Sequence, residues 1–208
     1  MRLYKFTSME FIPSCIENGV FASNLNDIND PYEGKGIEYP DLFRVVCMTD
    51  KDLKMLMWAY YGNHRGCCVE FEVPEEYGIR KVTYDAPFQS HEDMNVDEII
   101  ESLYKKGPEW KPEEEYRLVY YRRRANPSMW RVDGNKVYLN ANVKSVLFGL
   151  LADVKKEEYL RQLLYLQQYN SIHDEKISVS KCRLQNNRYR LSRIQQFDLD
   201  EEIRRIIG

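Results

Sequence analysis

The segment that most strongly suggests chemistry has three consecutive glutamates, followed closely by an arginine. Residues 110–117 read Trp-Lys-Pro-Glu-Glu-Glu-Tyr-Arg. Alternate side chains of an extended chain point to the same side, so Glu113, Glu115 and Arg117 are expected on one face. Three consecutive carboxylates at the entrance of a strand are costly to bury, and Arg117 on the same face can pair with Glu115. Glu113 and Glu115 are therefore candidate catalytic residues, and Arg117 is a candidate ligand contact. The alternative is a solvated acidic turn with an edge salt bridge.

A loop rich in turn-forming residues is the second candidate. Asparagine, aspartate and proline at positions 29–31 favour a tight turn for local reasons. A turn does not require the tyrosine and glutamate that follow directly, so the loop is predicted to present polar groups to a ligand. The candidate contacts are Asn29, Asp30, Tyr32 and Glu33. In the alternative interpretation Asp30 and Glu33 pair with Arg65 or Arg117 inside the fold, because structural ion-pair networks imitate active sites.

A predicted helix breaks at Gly62, and the break carries the third group of candidates. His64 is the only histidine in a dense cluster of polar and aromatic residues, and it is a candidate acid, base or orienting group. The other candidate ligand contacts of this region are Trp58, Tyr60, Arg65 and Glu70. The alternative is a structural histidine. Cys67, Cys68 and His64 do not predict a zinc site, because the second ligand pair that such sites use is missing.

The elements that must position these residues are mostly short strands. Predicted strands cover 2–6, 20–23, 44–49, 67–73, 80–84, 115–122, 136–139, 143–148 and 177–184, with a hairpin continuing at 189–191. Predicted helices cover 13–18, 51–61, 96–105, 155–169 and 200–207. Strands and helices do not alternate strictly, which favours an α+β fold with a mixed, mostly antiparallel sheet, packed helices and a C-terminal helix. We expect one domain over 1–208, with a core over 1–150 and a helix-and-hairpin elaboration over 151–208.

Charge and composition narrow the classes of function. The chain has 208 residues and a net charge of −3, which disfavours a nucleic-acid-binding domain. The run Arg122–Arg124 with Trp130 and Arg131 keeps that class open, as phosphate contacts beside a stacking ring. The N-terminus lacks an apolar signal region and no stretch is long enough to span a membrane, so a cytoplasmic protein with free cysteines is expected. The sequence does not define an oligomeric state.

Four motifs, in this order, carry a resemblance to a known family. They are Leu3–Phe6, Ile28–Glu33, the stretch from Met57 to Phe71, and Trp110–Arg117. Together they resemble a widespread bacterial family of unknown function, domain of unknown function 2971. The resemblance covers most of residues 1–150 and is specific as a set. It implies a bacterial protein but no established reaction.

The N-terminal order of strand, helix, glycine and a strand ending in serine resembles the start of ADP-ribosyltransferase folds. This resemblance implies that Lys5 and Thr7 on the first strand grip NAD, with Lys5 where those enzymes carry histidine or arginine. It implies that Ser23 lines the nicotinamide pocket and that Glu113 or Glu115 holds the ribose. The expected activity is NAD-dependent ADP-ribosyl transfer, abolished by Glu115→Gln in an intact fold. The alternative is a non-catalytic ligand- or partner-binding module.

Overall fold

The computed structural model describes residues 1–84, 87 and 90–208. Helices accompany a mixed, mostly antiparallel arrangement of strands, which confirms the predicted α+β class. The strands are β1 (Arg2–Thr7), β2 (Val20–Asn24), β3 (Phe43–Thr49), β4 (Cys67–Glu72), β5 (Arg80–Lys81), β6 (Glu115–Tyr121), β7 (Trp130–Asp133), β8 (Lys136–Leu139), β9 (Asn142–Phe148), β10 (Ser178–Leu184) and β11 (Leu191–Arg193). The helices are α1 (Ile12–Asn18), α2 (Met55–Tyr60), α3 (Val96–Ser102), α4 (Lys156–Ile172) and α5 (Leu199–Ile207).

The chain divides into two compact units, and each unit is assembled from separated stretches of sequence. Unit 1 comprises Met1, Asn18–Asp50 and Val73–Ala141. Unit 2 comprises Arg2–Glu17, Lys51–Glu72 and Asn142–Gly208. One domain over 1–208, with a core over 1–150 and an elaboration over 151–208, stays a prediction.

Unit 1 contains an antiparallel sheet in the order β5-β6-β3-β2-β8-β7. Its central strands, β3 and β6, pair from Phe43 opposite Tyr121 to Thr49 opposite Glu115. Both are rich in β-branched and aromatic residues, which favour extended, half-buried backbone. The core of unit 1 joins these strands to α3, and its buried members include Leu25, Ile37, Phe43, Val45, Ile99, Leu103 and Tyr121. Arg117 occupies a buried position opposite Cys47 in this pair of strands.

The hairpin of β7 and β8 is only partly predicted by the sequence. The pattern predicts β8 with its observed bounds, but not β7. Only Trp130 of the four residues of β7 is buried, so the strand lacks the apolar alternation of a half-buried strand. The Trp130 ring packs edge-on against Tyr120, with centroids 5.3 Å apart, and the residue is 6% exposed. It therefore offers no exposed ring for a nucleic-acid base, contrary to the nucleic-acid hypothesis.

Unit 2 contains a mixed sheet in the order β1-β4-β9-β10-β11. The parallel pair is β9 and β10, and α4 connects them, because a parallel connection must return along the sheet. Helix α4 buries Tyr159, Leu163 and Leu166, and the Tyr159 ring lies 4.9 Å from that of Phe148. The Tyr159 hydroxyl donates to Glu202 of α5 at 2.9 Å, which ties the C-terminal helix to α4. The predicted C-terminal hairpin and helix are thus confirmed.

No helix in the described part of the chain is long and apolar enough to cross a membrane.

Candidate ligand-binding site

Arg117 lies at the centre of a network of buried charges in unit 1. Its guanidinium donates through Nε to Glu115 Oε1 at 2.7 Å and through Nη2 to Glu115 Oε2 at 2.9 Å. Nη2 also donates to Glu33 Oε1 at 2.9 Å, and Nη1 donates to the carbonyl of Leu103 at 2.6 Å. A planar guanidinium serves several acceptors at fixed angles, which suits arginine to this position. The predicted pairing of Glu33 with Arg117 is confirmed.

Lys106 completes the network, although sequence reasoning did not single it out. Its ammonium lies 2.7 Å from Glu113 Oε2, 3.4 Å from Glu115 Oε2 and 3.8 Å from Glu33 Oε1. It also lies 4.5 Å from the centre of the Trp110 ring, within cation–π range. The lysine side chain is only 4% exposed. Buried ammonium groups need such partners, because desolvation without them is costly.

Local backbone structure brings these groups together. After α3, the amide of Lys106 donates to the carbonyl of Thr83 at 2.9 Å, which fixes the lysine against the neighbouring chain. The 3-10 helix Pro108–Glu113 and the left-handed residue Glu114 (φ 47°) then turn the chain into β6. The predicted extended course before Glu115 is therefore wrong. The carboxylates of Glu113 and Glu115, on either side of Glu114, still meet one ammonium, that of Lys106.

Burial and charge act in opposite directions on the ionisable groups of the network. Burial favours the neutral form of Glu115, but Arg117 and Lys106 outweigh it and lower the pKa of this carboxyl to about 2. The pKa of Glu33 is raised, because burial there outweighs the same two cations. Burial alone would lower the pKa of Lys106, yet the carboxylates of Glu115, Glu33 and Glu113 raise it. Glu115 and Lys106 are therefore both charged at neutral pH.

A cavity of about 860 Å³ lies beside the network in unit 1. Volumes of this size are typical of sites for small organic molecules. Its acidic lining residues are Asp30, Glu33 and Glu109, and its aromatic ones are Tyr32, Tyr84 and Trp110. Lys105, Lys106 and His91 also line it, together with apolar residues such as Pro31, Leu103 and Pro108. The cavity thus combines an apolar wall with a few converging polar groups.

A tight turn at Asp30 directs Glu33 into this region. Asp30 Oδ1 accepts the amide hydrogen of Tyr32 at 2.9 Å, and the Asp30 carbonyl accepts that of Glu33 at 3.2 Å. The turn interpretation is therefore confirmed, and the turn, residues 30–33, also supplies four residues to the cavity lining. Asn29 is exposed, and Ser23 pairs with Val45 in the sheet; neither lines the cavity.

The remaining predicted site residues lie in unit 2, where two of them, Trp58 and Glu70, are buried. Trp58 is 1% exposed, its indole N–H donates to the carbonyl of Asp52 at 2.8 Å, and its ring meets Phe6 edge-on at 5.0 Å. It is a core residue and offers no exposed ring surface to a ligand. Glu70 is buried and accepts from Ser145 Oγ at 2.5 Å and from Arg2 at 3.2 Å.

The turn at His64 is held by its backbone. The His64 amide donates to the carbonyl of Trp58 at 2.9 Å, and its own carbonyl accepts from Leu151 at 2.8 Å. The residue has a φ of 59°, in the left-handed region, and its Nδ1 is buried without a hydrogen-bond partner among the described residues. Tyr60 and Arg65 are exposed beside this turn.

Lys5 and Thr7 occupy strand β1, opposite Val69 and Cys67 of β4. Both are half-buried. Their proposed contact with NAD, inferred from the resemblance, stays a prediction. The cysteines are free and all but Cys47 are buried, as expected. No cluster of His, Cys, Asp or Glu within the described ranges could hold a metal ion.

No protein-family model, no curated protein and no solved structure matches the chain.

Proposed function

We propose that unit 1 binds a small organic molecule in the cavity beside Arg117, and that the buried charges hold the walls of this cavity in place. The cavity supports binding, and the observation that favours binding over catalysis is the engagement of Glu115. Both of its carboxylate oxygens accept hydrogen bonds from Arg117, and its side chain is 5% exposed. General base or nucleophilic chemistry needs a carboxylate oxygen that can approach the substrate. The geometry of Glu115 therefore supports a structural role.

An NAD-dependent ADP-ribosyltransferase is the second candidate, and the aromatic wall of the cavity supports it. Tyr32 and Trp110 offer ring surfaces of the kind on which nicotinamide stacks. The two glutamates implied by the resemblance are both engaged: Glu113 by Lys106, and Glu115 by Lys106 and Arg117. A transferase using this cavity would need another carboxylate, such as Glu33.

Binding can be tested before the natural ligand is known, by following the indole N–H signals of the three tryptophans in NMR spectra. Each signal is assigned with a Trp→Phe variant. We expect members of a library of flat heterocycles, which includes NAD, to shift the signal of Trp110. Trp58 and Trp130 are 1% and 6% exposed and pack in the interior, so their signals should not move.

A variant that fills part of the cavity tests whether the ligand binds there. A Cβ added at Gly107 would lie 3.6 Å from Trp110 Cδ1 and 4.0 Å from Asp30 Oδ2, so Gly107→Leu places a side chain among the lining residues. The backbone of Gly107 (φ −57°, ψ 147°) is open to any residue. The tightest contact of the added Cβ, 3.0 Å, is with Oε2 at the end of the exposed, flexible Glu109 side chain, which can move aside, so the fold is preserved. Glu76→Leu, at an exposed position of the same unit, is the control.

We expect the Trp110 shifts to disappear in Gly107→Leu and to persist in Glu76→Leu. Shifts that persist in Gly107→Leu would place binding elsewhere, and a library without any effect on Trp110 would contradict the proposal. Calorimetric titration with NAD, followed by an assay for free nicotinamide, separates the two candidates. Binding without release supports a binding module, and release supports the transferase.

A further inference from the structure

The cavity ligand can be specified further, on the basis of the proposed binding role. We infer that it is an organic cation: a flat ring that carries a protonated amine, with the amine held by carboxylates and the ring against the aromatic wall. Three observations support this class. The cations near the cavity are already neutralised, two carboxylates converge at one edge of it, and a third carboxylate has an oxygen without a partner.

The cations that face the cavity have little charge left for an anionic ligand. An ammonium has three N–H donors, and three carboxylates surround that of Lys106 within 3.8 Å. Arg117 is fully buried and makes four hydrogen bonds to Glu115, Glu33 and Leu103. Lys105 is exposed to solvent, where screening weakens its field. An anion would gain little from these groups.

The carboxylates of Asp30 and Glu109 approach a common point. A Cβ built on Gly107 would lie 3.0 Å from Glu109 Oε2 and 4.0 Å from Asp30 Oδ2. The two oxygens thus flank one residue on the cavity wall. Asp30 is 3% exposed, so its charge is only weakly screened by solvent. Only its other oxygen, Oδ1, takes part in the turn with Tyr32.

Glu33 supplies the unsatisfied acceptor. Its Oε1 accepts from Arg117 at 2.9 Å, but its Oε2 is buried without a hydrogen-bond partner among the described residues. The side chain is 4% exposed, and the residue lines the cavity. An unpaired buried acceptor costs roughly 1–3 kcal/mol. A ligand donor would remove that cost, and a protonated amine would do so through the stronger, charge-assisted hydrogen bond, which favours a cation over a neutral or anionic ligand.

The aromatic lining matches the rest of the ligand. Trp110 already lies 4.5 Å from one ammonium, that of Lys106, which shows that its ring stabilises a cation in this position. Tyr32 is 56% exposed and lines the cavity. Rings of this kind bury flat apolar surface at low entropic cost. The aromatic and apolar wall therefore selects the flat ring of the ligand, and the carboxylates select its protonated amine.

The test uses three probes with the same indole ring and different charge. They are tryptamine, a cation; indole-3-ethanol, which is neutral; and indole-3-acetate, an anion. Affinity is measured by calorimetry and by the Trp110 indole signal in the full-length protein. We expect tryptamine to bind at least tenfold more tightly than indole-3-ethanol, a factor that corresponds to about 1.4 kcal/mol, and indole-3-acetate to bind most weakly.

Substitution of each carboxylate by the corresponding amide tests which carboxylates bind the protonated amine. Asp30→Asn keeps the oxygen that accepts from Tyr32, and Glu33→Gln keeps the one that accepts from Arg117, so neither removes a local hydrogen bond. Each should weaken tryptamine binding by roughly tenfold, and the exposed Glu109→Gln by about threefold, since exposed charges are worth less. The binding of indole-3-ethanol should not fall. Glu76→Gln, an exposed glutamate outside the cavity lining, is the control.

The outcomes separate this inference from the function on which it rests. If indole-3-ethanol or indole-3-acetate binds as tightly as tryptamine, the cavity binds ligands but does not select cations, and the inference is overturned. The same holds if the three amide variants leave the tryptamine affinity unchanged. If no probe and no library member shifts Trp110, the binding role itself fails. Glu109→Gln is exposed and keeps the fold, so the test stands even if a buried variant misfolds.

Discussion

Units 1 and 2 both bury acidic residues that the sequence marks as functional, but the groups that surround these residues differ between the units. In unit 1, two cations and three carboxylates share one network beside a cavity of about 860 Å³. In unit 2, Glu70 has a neutral partner in Ser145 and a salt bridge to Arg2, whose side chain is 68% exposed. The network in unit 1 therefore concentrates buried ions, whereas the charged partner of Glu70 lies mostly in solvent.

This difference teaches where function is to be sought. Apolar side chains often replace a buried ion network without loss of stability, so stability alone does not explain the one in unit 1. A cavity wall needs polar groups at fixed positions, which such a network supplies. In unit 2 the candidate ligand contact Trp58 is a core residue. Residue type marked both regions equally as candidate sites. What distinguishes unit 1 is that its buried charges lie beside a cavity.

The largest expected effect comes from removing the central cation of unit 1. Arg117→Leu leaves Glu33 and Glu115 without their guanidinium, and an uncompensated buried charge costs about 3–5 kcal/mol of unfolding free energy. Arg2→Leu in unit 2 removes an arginine that is mostly exposed and should cost less than about 1 kcal/mol. Urea denaturation of both variants measures the difference. Similar losses would show that the two regions bury charge in the same way.

The second prediction compares two buried glutamates. Glu115→Gln removes the charge that faces Arg117 and Lys106 and should cost roughly 3 kcal/mol. Glu70→Gln keeps an acceptor for Ser145 and should cost about 1 kcal/mol. The transferase hypothesis, by contrast, expects Glu115→Gln to leave the fold intact. A variant with unchanged melting temperature but abolished NAD turnover would instead support the transferase.

The pH dependence of Glu115→Gln checks the cause of that loss. The folded pKa of Glu115, about 2, lies below its ordinary value of 4.5, so folding favours the ionised form. This carboxyl therefore stabilises the protein fully above pH 4.5, and its contribution falls as the pH drops towards 2. The difference between wild type and variant, roughly 3 kcal/mol at neutral pH, should shrink over that window. A constant difference would mean that the loss is not electrostatic.

Much of the fold follows from local pattern, and the site follows only in part. Strands β3, β6 and β9 carry apolar or alternating residues, and the sequence predicts them to within one residue at each end. The sequence pattern does not predict strand β7, because three of its four residues are exposed. Helix α2 is shorter than its apolar stripe predicts and begins only at Met55.

In the site, the glutamates and Arg117 were found because they alternate along one segment. Glu33 joins them from 84 residues away. Charge made Arg117 one of its two candidate partners, but no local pattern could choose between Arg65 and Arg117. Lys106 was overlooked because lysine is almost never buried without partners. One signal was available: two lysines before Gly107 and Pro108 are followed closely by three glutamates. This pattern of opposite charges on either side of a turn would have marked Lys106 as a candidate member of the site.

A pair of tryptophans sharpens the comparison at smaller energies. Trp58→Phe in unit 2 loses the hydrogen bond to the Asp52 carbonyl and leaves a small cavity, at a cost of about 2 kcal/mol. Trp110→Phe in unit 1 changes a partly exposed ring and should cost less than about 1 kcal/mol. It should weaken ligand binding, which Trp58→Phe should not. Thermal denaturation and the indole probes measure both effects. The reverse pattern would place the ligand in unit 2.

The smallest expected effect separates two carboxylates on the same guanidinium. The pKa of Glu33 is raised in the folded protein, so folding favours its protonated form, the opposite of Glu115. Its ionisation therefore lowers stability as the pH rises from 4.5 through the folded pKa. Glu33→Gln removes that decrease and still accepts from Arg117, so at neutral pH it should be as stable as wild type or up to about 1 kcal/mol more stable. Denaturation at several pH values tests this. A loss of several kcal/mol would make Glu33 a structural ion like Glu115, and its free oxygen would no longer support a cationic ligand.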